Sequence, residues 1–388
     1  MKPLRILADE NIPQVAEAFA PFGDVVTAPG REISASDVAA VDVLLVRSVT
    51  RVDEALLEGS RVRFVGTATI GVDHIDQEAL KARGVAFTSC PGSNAESVAC
   101  YVTCVLLELA EALGIQLAER TLGVVGVGNV GRRVAAKGRA LGMEVLLNDP
   151  PRARREPSGG FVSLEELSRR ADLVTLHTPL TTDGPDPTHH LIGAAALARF
   201  KPTAALLNSG RGGVVEEEAL KEALRTGRLA AAALDVWAGE PAIDLETLGQ
   251  VLVGTPHIAG YAIDGKIRGT TMLTEALSRW LGRPNPWDPE PSLEALGSPE
   301  VVVSGAGELE AELRAACRQA NDVMGDARRL RERLAAAAPE ERGRAFDRLR
   351  KTYPTRREFA RITVRVARPN PALERALAAV GFRVARSA

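Results

Sequence analysis

A chain of 388 residues with a formal net charge of −2, 45% hydrophobic and 25% charged, has the composition of a globular protein of two or three domains. The near-zero charge gives no field that would draw it to nucleic acid or an anionic membrane, so both partner classes are set aside. Four cysteines in this length are too few for a disulfide framework and read as reduced thiols, which implies a cytoplasmic setting.

Asp9 and Glu10 follow the first apolar run at once, so no signal peptide is expected. Leu4–Ala8, Val41–Val46, Arg63–Thr67 and Val85–Ser89 read as strands, and Pro13–Phe22, Asp53–Glu58 and Asp76–Arg83 as helices. This alternation predicts a parallel sheet covered on both faces. A long helix from about Asn94 to Leu113 follows, with Ser93 as N-cap, Glu96 placed for a capping box and Gly114 as its stop. Its apolar run, Val98 to Leu107, is too short to span ~30 Å of hydrocarbon.

A second βα series predicts strands at Leu122–Val127, Glu144–Asn148, Leu173–His177, Ala204–Asn208, Ala231–Val236 and Val251–Gly254, then a helix over Asp264–Leu281. Pro-rich punctuation from Arg283 to Pro291 marks a linker. Beyond it, Val301–Val303, Ile362–Ala367 and Phe382–Ala385 read as strands, Glu308–Leu334 as one long Arg/Glu-rich helix and Pro371–Val380 as another. The expected fold is α/β, with two Rossmann-like doubly wound parallel-sheet domains and a small α+β C-terminal domain. An Arg/Glu-rich unit this small has a thin core, which argues for a partner copy.

The segment after Leu122 carries G-x-G-x-x-G at Gly126, Gly128 and Gly131, between a strand and a helix, and Asp149 ends the next strand. Gly126 permits the turn, Gly128 lets the backbone approach a pyrophosphate, and Gly131 lets helix and strand pack. Asp149 is placed to accept from ribose hydroxyls. Arg152, Arg154 and Arg155 would suit a 2′-phosphate instead, but the Asp149 carboxylate would repel it, so NAD is expected over NADP. The bland alternative is a Gly-rich turn with no ligand.

Arg211, Glu240 and His257 each follow an apolar strand, where open α/β sheets bind ligands. Removing hydride from a C–OH carbon requires a base for the hydroxyl proton, and His suits that near neutral pH. A carboxylate on the far ring nitrogen stabilises the imidazolium, and Arg offers a planar fork to a substrate carboxylate. His257 therefore reads as acid/base, Glu240 as its partner and Arg211 as the clamp. Singly, each also reads as a capped turn or solvated loop residue. Cys100 and Cys104, one helical turn apart, read as buried thiols, and no metal is expected. His177, His189 and His190 read as strand-end and loop residues.

These segments resemble the D-isomer-specific 2-hydroxyacid dehydrogenases over about residues 1–285. Leu7–Pro13, Val46–Thr50, Phe64–Thr69, Asn148–Arg152 and Gly254–Tyr261 are similar to the branch serving vitamin B6 biosynthesis. Phe346–Lys351 and Arg356–Glu358 resemble that branch's dimerisation domain. The resemblance implies NAD-dependent oxidation of a phosphorylated four-carbon 2-hydroxy acid by a homodimer. It gives catalysis to Arg211, Glu240 and His257, and substrate contacts to Ser48, Thr69 and Tyr261. It gives NAD contacts to Asp149, Thr178, Ser209, Gly210, Arg211, Asp235 and Gly260. It divides the chain into a substrate domain (1–95, completed by 263–285), an NAD-binding domain (96–262) and a dimerisation domain (286–388). Ser93 stands where that branch often has Cys. Two alternatives remain: another D-2-hydroxyacid dehydrogenase, for 3-phosphoglycerate or glycerate, and a dehydrogenase-like NAD-sensing corepressor. The Arg-rich stretch from Arg328 to Arg357 reads as a solvated helical face, with Arg350 or Lys351 as candidates to attract a substrate phosphate.

Overall fold

A computed structural model describes residues 3–385. Met1 and Lys2, at the start of the expected first domain, and 386–388, at the end of the expected third, lie outside the described residues. Chain contacts divide the protein into two compact units, one of residues up to 94 with 262–297 and one of residues 95–261 with 298 onward.

The first unit holds β1 (Leu4–Asp9), β2 (Gly23–Ala28), β3 (Val43–Val46), β4 (Phe64–Thr67) and β5 (Ala86–Thr88), all parallel in the order β2-β1-β3-β4-β5. Every residue of β3 and β4 is buried, as interior strands covered on both faces require. The edge strand β2 is half solvated, with Val26 62% exposed, so no apolar run marks it in the sequence. The expected helix over Asp53–Glu58 is instead a set of turns. Asp53 accepts the Leu56 amide at 3.0 Å, and Gly59 at φ 66 turns the chain away before a second helical turn can form. The helix Ile263–Leu281 returns to this unit, where Thr270 Oγ1 donates to the Pro13 carbonyl at 2.8 Å.

The second unit is built on β6 (Thr121–Val125), β7 (Glu144–Asn148), β8 (Leu173–Leu176), β9 (Ala205–Asn208), β10 (Ala231–Leu234) and β11 (Val253–Gly254). They are parallel in the order β11-β10-β9-β8-β6-β7, so the winding reverses between β6 and β8. Open sheets of this kind bind ligands outside the strand C-termini at such a switch point. The helix Ala95–Leu113 is buried around nearly its whole circumference, the signature of a helix covered on all sides. Its N-terminal half carries the Glu96 carboxylate, which pairs with buried Lys137 at 2.8 Å.

Residues 298–385 add three short parallel strands, β12 (Glu300–Val303), β13 (Thr363–Val366) and β14 (Arg383–Ala385), in that order. The expected single helix Glu308–Leu334 is two, Leu309–Ala320 and Val323–Ala336. Asn321 leaves the helix in an extended conformation, and Asp322 caps the next one by accepting the Gly325 amide at 2.9 Å. Although this segment has its own sheet, Leu313, Cys317, Phe359, Val364 and Leu377 bury into one continuous core with Tyr101, Leu106 and Leu122. The expected C-terminal domain thus shares its core with the nucleotide fold, because so few residues cannot bury enough apolar surface alone. No helix among the described residues is long and apolar enough to cross a membrane.

Candidate active site

Each strand of the second unit's sheet ends in a residue singled out above. Gly126 follows β6, Asp149 follows β7, Thr178 follows β8, Ser209–Arg211 follow β9, Asp235 follows β10 and His257 follows β11. Because the strands are parallel, all of these lie along one edge of the sheet.

The turn after β6 needs its glycines for different reasons. Gly126 has φ 83, and a Cβ there would stand 2.8 Å from the His177 carbonyl carbon. A Cβ on Gly131 would stand 1.9 Å from the Gly126 carbonyl oxygen, so this glycine sets the helix-to-strand approach. A Cβ on Gly128 would meet nothing within 4 Å, so the fold itself does not require glycine there. The Asp149 carboxylate accepts from the Val127 amide at 2.9 Å and the Arg152 amide at 3.0 Å, tying the glycine turn to the helix Pro150–Arg155. Arg152 Nη1 donates to the Val127 carbonyl at 2.7 Å and pairs with Glu156, while Arg154 pairs with Asp186. Two of the three arginines that would suit a 2′-phosphate therefore already have acidic partners. Thr178 Oγ1 is buried with no protein partner, as a group awaiting a ligand would be. Open space at Gly128, an orphaned Thr178 hydroxyl and a carboxylate at the β7 end fit a dinucleotide.

Arg211 follows β9 through a short polar turn. Asn208 holds that turn, accepting the Gly210 amide at 3.0 Å and donating to the Arg211 carbonyl at 2.9 Å. Gly212 is pressed against the backbone of Trp237, 2.0 Å from a hypothetical Cβ to its carbonyl, which fixes the β9 loop to the β10 loop. Ser209 Oγ lies 3.4 Å from His177 Nδ1, and Thr175 Oγ1 lies 2.9 Å from Nε2. Burial pushes the His177 imidazole down to about 3, so this ring stays neutral and is unsuited to proton transfer.

His257 Nδ1 lies 2.8 Å from Glu240 Oε2. The other Glu240 oxygen accepts the Trp237 amide at 2.8 Å. Burial works to raise the Glu240 carboxyl, but the charge and hydrogen bond of His257, the Trp237 amide and the charge of Arg350 outweigh it. Its pKa lies below the usual carboxylate range. The carboxylate therefore orients the ring with Nδ1 as donor, which leaves Nε2 to exchange a proton with substrate. His257 has φ 56, a strained conformation for a residue with a side chain. Asp235, fully buried, braces the loop: Oδ1 accepts from the Ile258 amide at 2.8 Å and Thr255 Oγ1 at 2.6 Å, and Oδ2 from the Ala259 amide at 2.9 Å. Burial raises the Asp235 carboxyl pKa despite these donors.

Tyr261, just past Gly260, meets the ring of Tyr353 edge-on at 6.0 Å, and the Arg350 guanidinium lies 5.8 Å from its ring centre. Of the residues expected to contact substrate, Tyr261 thus lies in the second unit. Ser48 and Thr69 lie in the first, two residues past the ends of β3 and β4, which pair side by side. Thr69 Oγ1 bonds to Thr67 Oγ1 at 2.8 Å, which in turn lies 2.9 Å from His74 Nε2. The sequence assigns no site role to His74, Trp237, Tyr353 or Arg356. Arg356, 6% exposed, donates to the carbonyls of Ile258 and Ala259. Tyr353 and Arg356 act on a loop distant in sequence, which leaves no local pattern, whereas His74 and Trp237 reach Thr67 and Glu240 a few residues away. Cys90, Cys100, Cys104 and Cys317 are buried free thiols, and His189 and His190 stack on each other in an exposed loop.

Residues 107–259 match the D-isomer specific 2-hydroxyacid dehydrogenase NAD binding domain, and residues 293–381 match a domain of unknown function (DUF3410). The chain is 51% identical over 375 residues to erythronate-4-phosphate dehydrogenase of Salinibacter ruber, covering 94% of each. It is 46% identical to the enzyme of that name from Azotobacter vinelandii, covering 97% of this chain and 99% of that one. Among solved structures it is similar to D-lactate dehydrogenase from Aquifex aeolicus complexed with NAD and lactic acid. That likeness has 26% identity and a TM-score of 0.60, and covers 72% of this chain and 96% of that one. The chain belongs to the erythronate-4-phosphate dehydrogenases, within the D-isomer specific 2-hydroxyacid dehydrogenase family.

Proposed function

We propose that the protein oxidises 4-phospho-D-erythronate with NAD to 3-hydroxy-2-oxo-4-phosphooxybutanoate and NADH, a step in pyridoxal 5′-phosphate (vitamin B6) biosynthesis. The observation that carries this reading is the His257–Glu240 pair at 2.8 Å, set at the ligand-binding edge of an NAD-binding sheet. His257 Nε2 takes the C2 hydroxyl proton, and Glu240 stabilises the imidazolium that results. Arg211 holds the substrate carboxylate and polarises the C2 oxygen as it becomes a carbonyl. Bound NAD supplies the hydride acceptor. Gly126, Gly128 and Gly131 receive its pyrophosphate, Asp149 its ribose, and Thr178, Ser209, Gly210, Arg211, Asp235 and Gly260 line the rest of its site. Ser48, Thr69 and Tyr261 contact the substrate.

The domain roles follow: a substrate domain over 1–95 with 263–285, an NAD-binding domain over 96–262, and dimerisation through 286–388. The enzyme works as a cytoplasmic homodimer, and light scattering on the full chain reports that assembly directly. The function is tested by following NADH formation from 4-phospho-D-erythronate beside unphosphorylated erythronate, 3-phosphoglycerate and glycerate. The phosphorylated four-carbon acid is expected to give the highest kcat/KM, and a preference for any of the others overturns the assignment.

A further inference from the structure

The segment that follows His257 is held from both sides by opposite charges. On one side the Asp235 carboxylate accepts the amides of Ile258 and Ala259, at 2.8 and 2.9 Å. On the other, Arg356 Nη2 donates to the carbonyls of the same two residues, at 3.3 Å for Ile258 and closer for Ala259. Two consecutive residues thus lie between a buried carboxylate and a buried guanidinium, with both their amides and both their carbonyls engaged. The residue in front of them, His257, sits at φ 56. Such a conformation persists only where the surroundings over-determine it.

Arg356 is itself built into place. It is 6% exposed, its guanidinium lies 5.9 Å from the ring centre of Tyr353, and the Tyr353 hydroxyl donates to Asp326 at 2.8 Å. Asp326, on the helix Val323–Ala336, is 5% exposed, feels the charge of Arg356 and also pairs with Arg329. The Tyr353 ring in turn meets Tyr261 edge-on, so the same support reaches both ends of the loop that runs from His257 to Tyr261. A solvated surface arginine has none of these constraints.

We infer that Arg356 is a positioning residue for the reaction: it fixes the His257–Tyr261 loop so that His257 Nε2 stays aimed at substrate. It touches no reacting atom in this role and acts through the loop backbone. The inference makes residues 298–385 part of the catalytic apparatus, and it rests on the reading of His257 as the acid/base group.

The test compares the parent with Arg356→Met, which keeps the stem and removes the donors, and Arg356→Lys, which keeps charge and a donor. Steady-state kinetics with 4-phospho-D-erythronate give kcat and KM, and fluorescence titration gives the NADH Kd. In Arg356→Met, kcat is expected to fall by about 30-fold or more while the NADH Kd stays within about 3-fold, because a misaimed base costs rate rather than cofactor affinity. Arg356→Lys is expected to recover part of the loss, ending within about 10-fold of the parent. A folded Arg356→Met with kcat within about 3-fold of the parent overturns the inference. So does a parallel collapse of kcat and NADH affinity, which means that the guanidinium merely holds the fold. Should Arg356→Met fail to fold, Arg356→Gln, too short to reach both carbonyls, is read by the same two thresholds. If the parent does not oxidise 4-phospho-D-erythronate, the proposed function fails. The positioning role is then read with whichever 2-hydroxy acid the parent turns over.

Discussion

His257, the proposed acid/base group, also sits at φ 56, which decides how it should be replaced. Alanine at φ 56 would add strain of its own, whereas asparagine tolerates the left-handed region. His257→Asn is therefore expected to keep the loop and lose the base, lowering kcat by roughly 10²–10⁴-fold with NADH binding nearly unchanged. A loss under about tenfold, seen by initial-rate assay, would remove His257 from the acid/base role. Cofactor choice is also decided by single residues. A 2′-phosphate would face the Asp149 carboxylate and would have to draw Arg152 from Glu156 and Arg154 from Asp186. The ratio of kcat/KM for NAD to that for NADP is accordingly expected to exceed about tenfold, and a ratio near one would mean the arginines re-pair at little cost. At this scale the sequence was informative for groups that follow strands. The His257–Glu240 pairing was legible because both residues follow apolar strands of one sheet. Arg356 was not, because a guanidinium aimed at two carbonyls about a hundred residues away in sequence leaves no periodicity or spacing to read.

The turn between β6 and the helix Gly131–Ala140 separates what the fold needs from what the ligand needs. Gly131→Ala puts a methyl 1.9 Å from a backbone oxygen, so the variant is expected to be expressed poorly or to melt well below the parent. Gly128→Ala meets no protein atom within 4 Å, so it should melt within a degree or two of the parent. Yet a methyl there occupies the approach of a pyrophosphate, and the NADH Kd is expected to rise by about tenfold or more. Thermal melts beside NADH titrations check both, and a Gly128→Ala protein that binds NADH normally would show that the ligand does not come close at that point. Elements were legible where their apolar residues recur at the spacing of a strand or helix. β7 and the helix Pro371–Val380 have the bounds that their apolar pattern sets. β2, half solvated, left no such pattern, and the helix expected at Asp53–Glu58 lost to local capping by Asp53 and the turn at Gly59. Asn321-Asp322, a stop and a cap side by side, split a helix whose charge pattern ran on through them.

For the whole molecule, the shared core changes what truncation should do. Cutting after Trp287 removes Leu313, Cys317, Phe359 and Leu377 from their places against Tyr101 and Leu106. Each buried side chain of that size contributes about 1.5–3 kcal/mol of burial, so the loss is comparable to the whole stability of an ordinary domain. The shortened chain is expected to aggregate or stay partly unfolded rather than give an NAD-binding monomer. A monodisperse truncated protein with parental NADH affinity, by light scattering and titration, would show that the nucleotide fold stands alone. The sequence marked the Pro-rich stretch from Arg283 to Pro291 as a linker, whereas contacts keep residues up to 297 with the first unit, and it gave no sign that the chain beyond packs back onto the helix Ala95–Leu113, because burial by a distant segment alters no local pattern. That interleaving also bears on how the protein is made. Both units are discontinuous: the first waits for 262–297, and the second for 298 onward. At a synthesis rate of roughly 5–20 residues per second, the apolar helix Ala95–Leu113 emerges about 10–40 s before residues 298 onward, which complete the cover that the helix Gly131–Ala140 begins. Through that interval its exposed face is a substrate for chaperones, and slower elongation across residues 114–298 would lengthen the exposure without altering one contact of the finished enzyme.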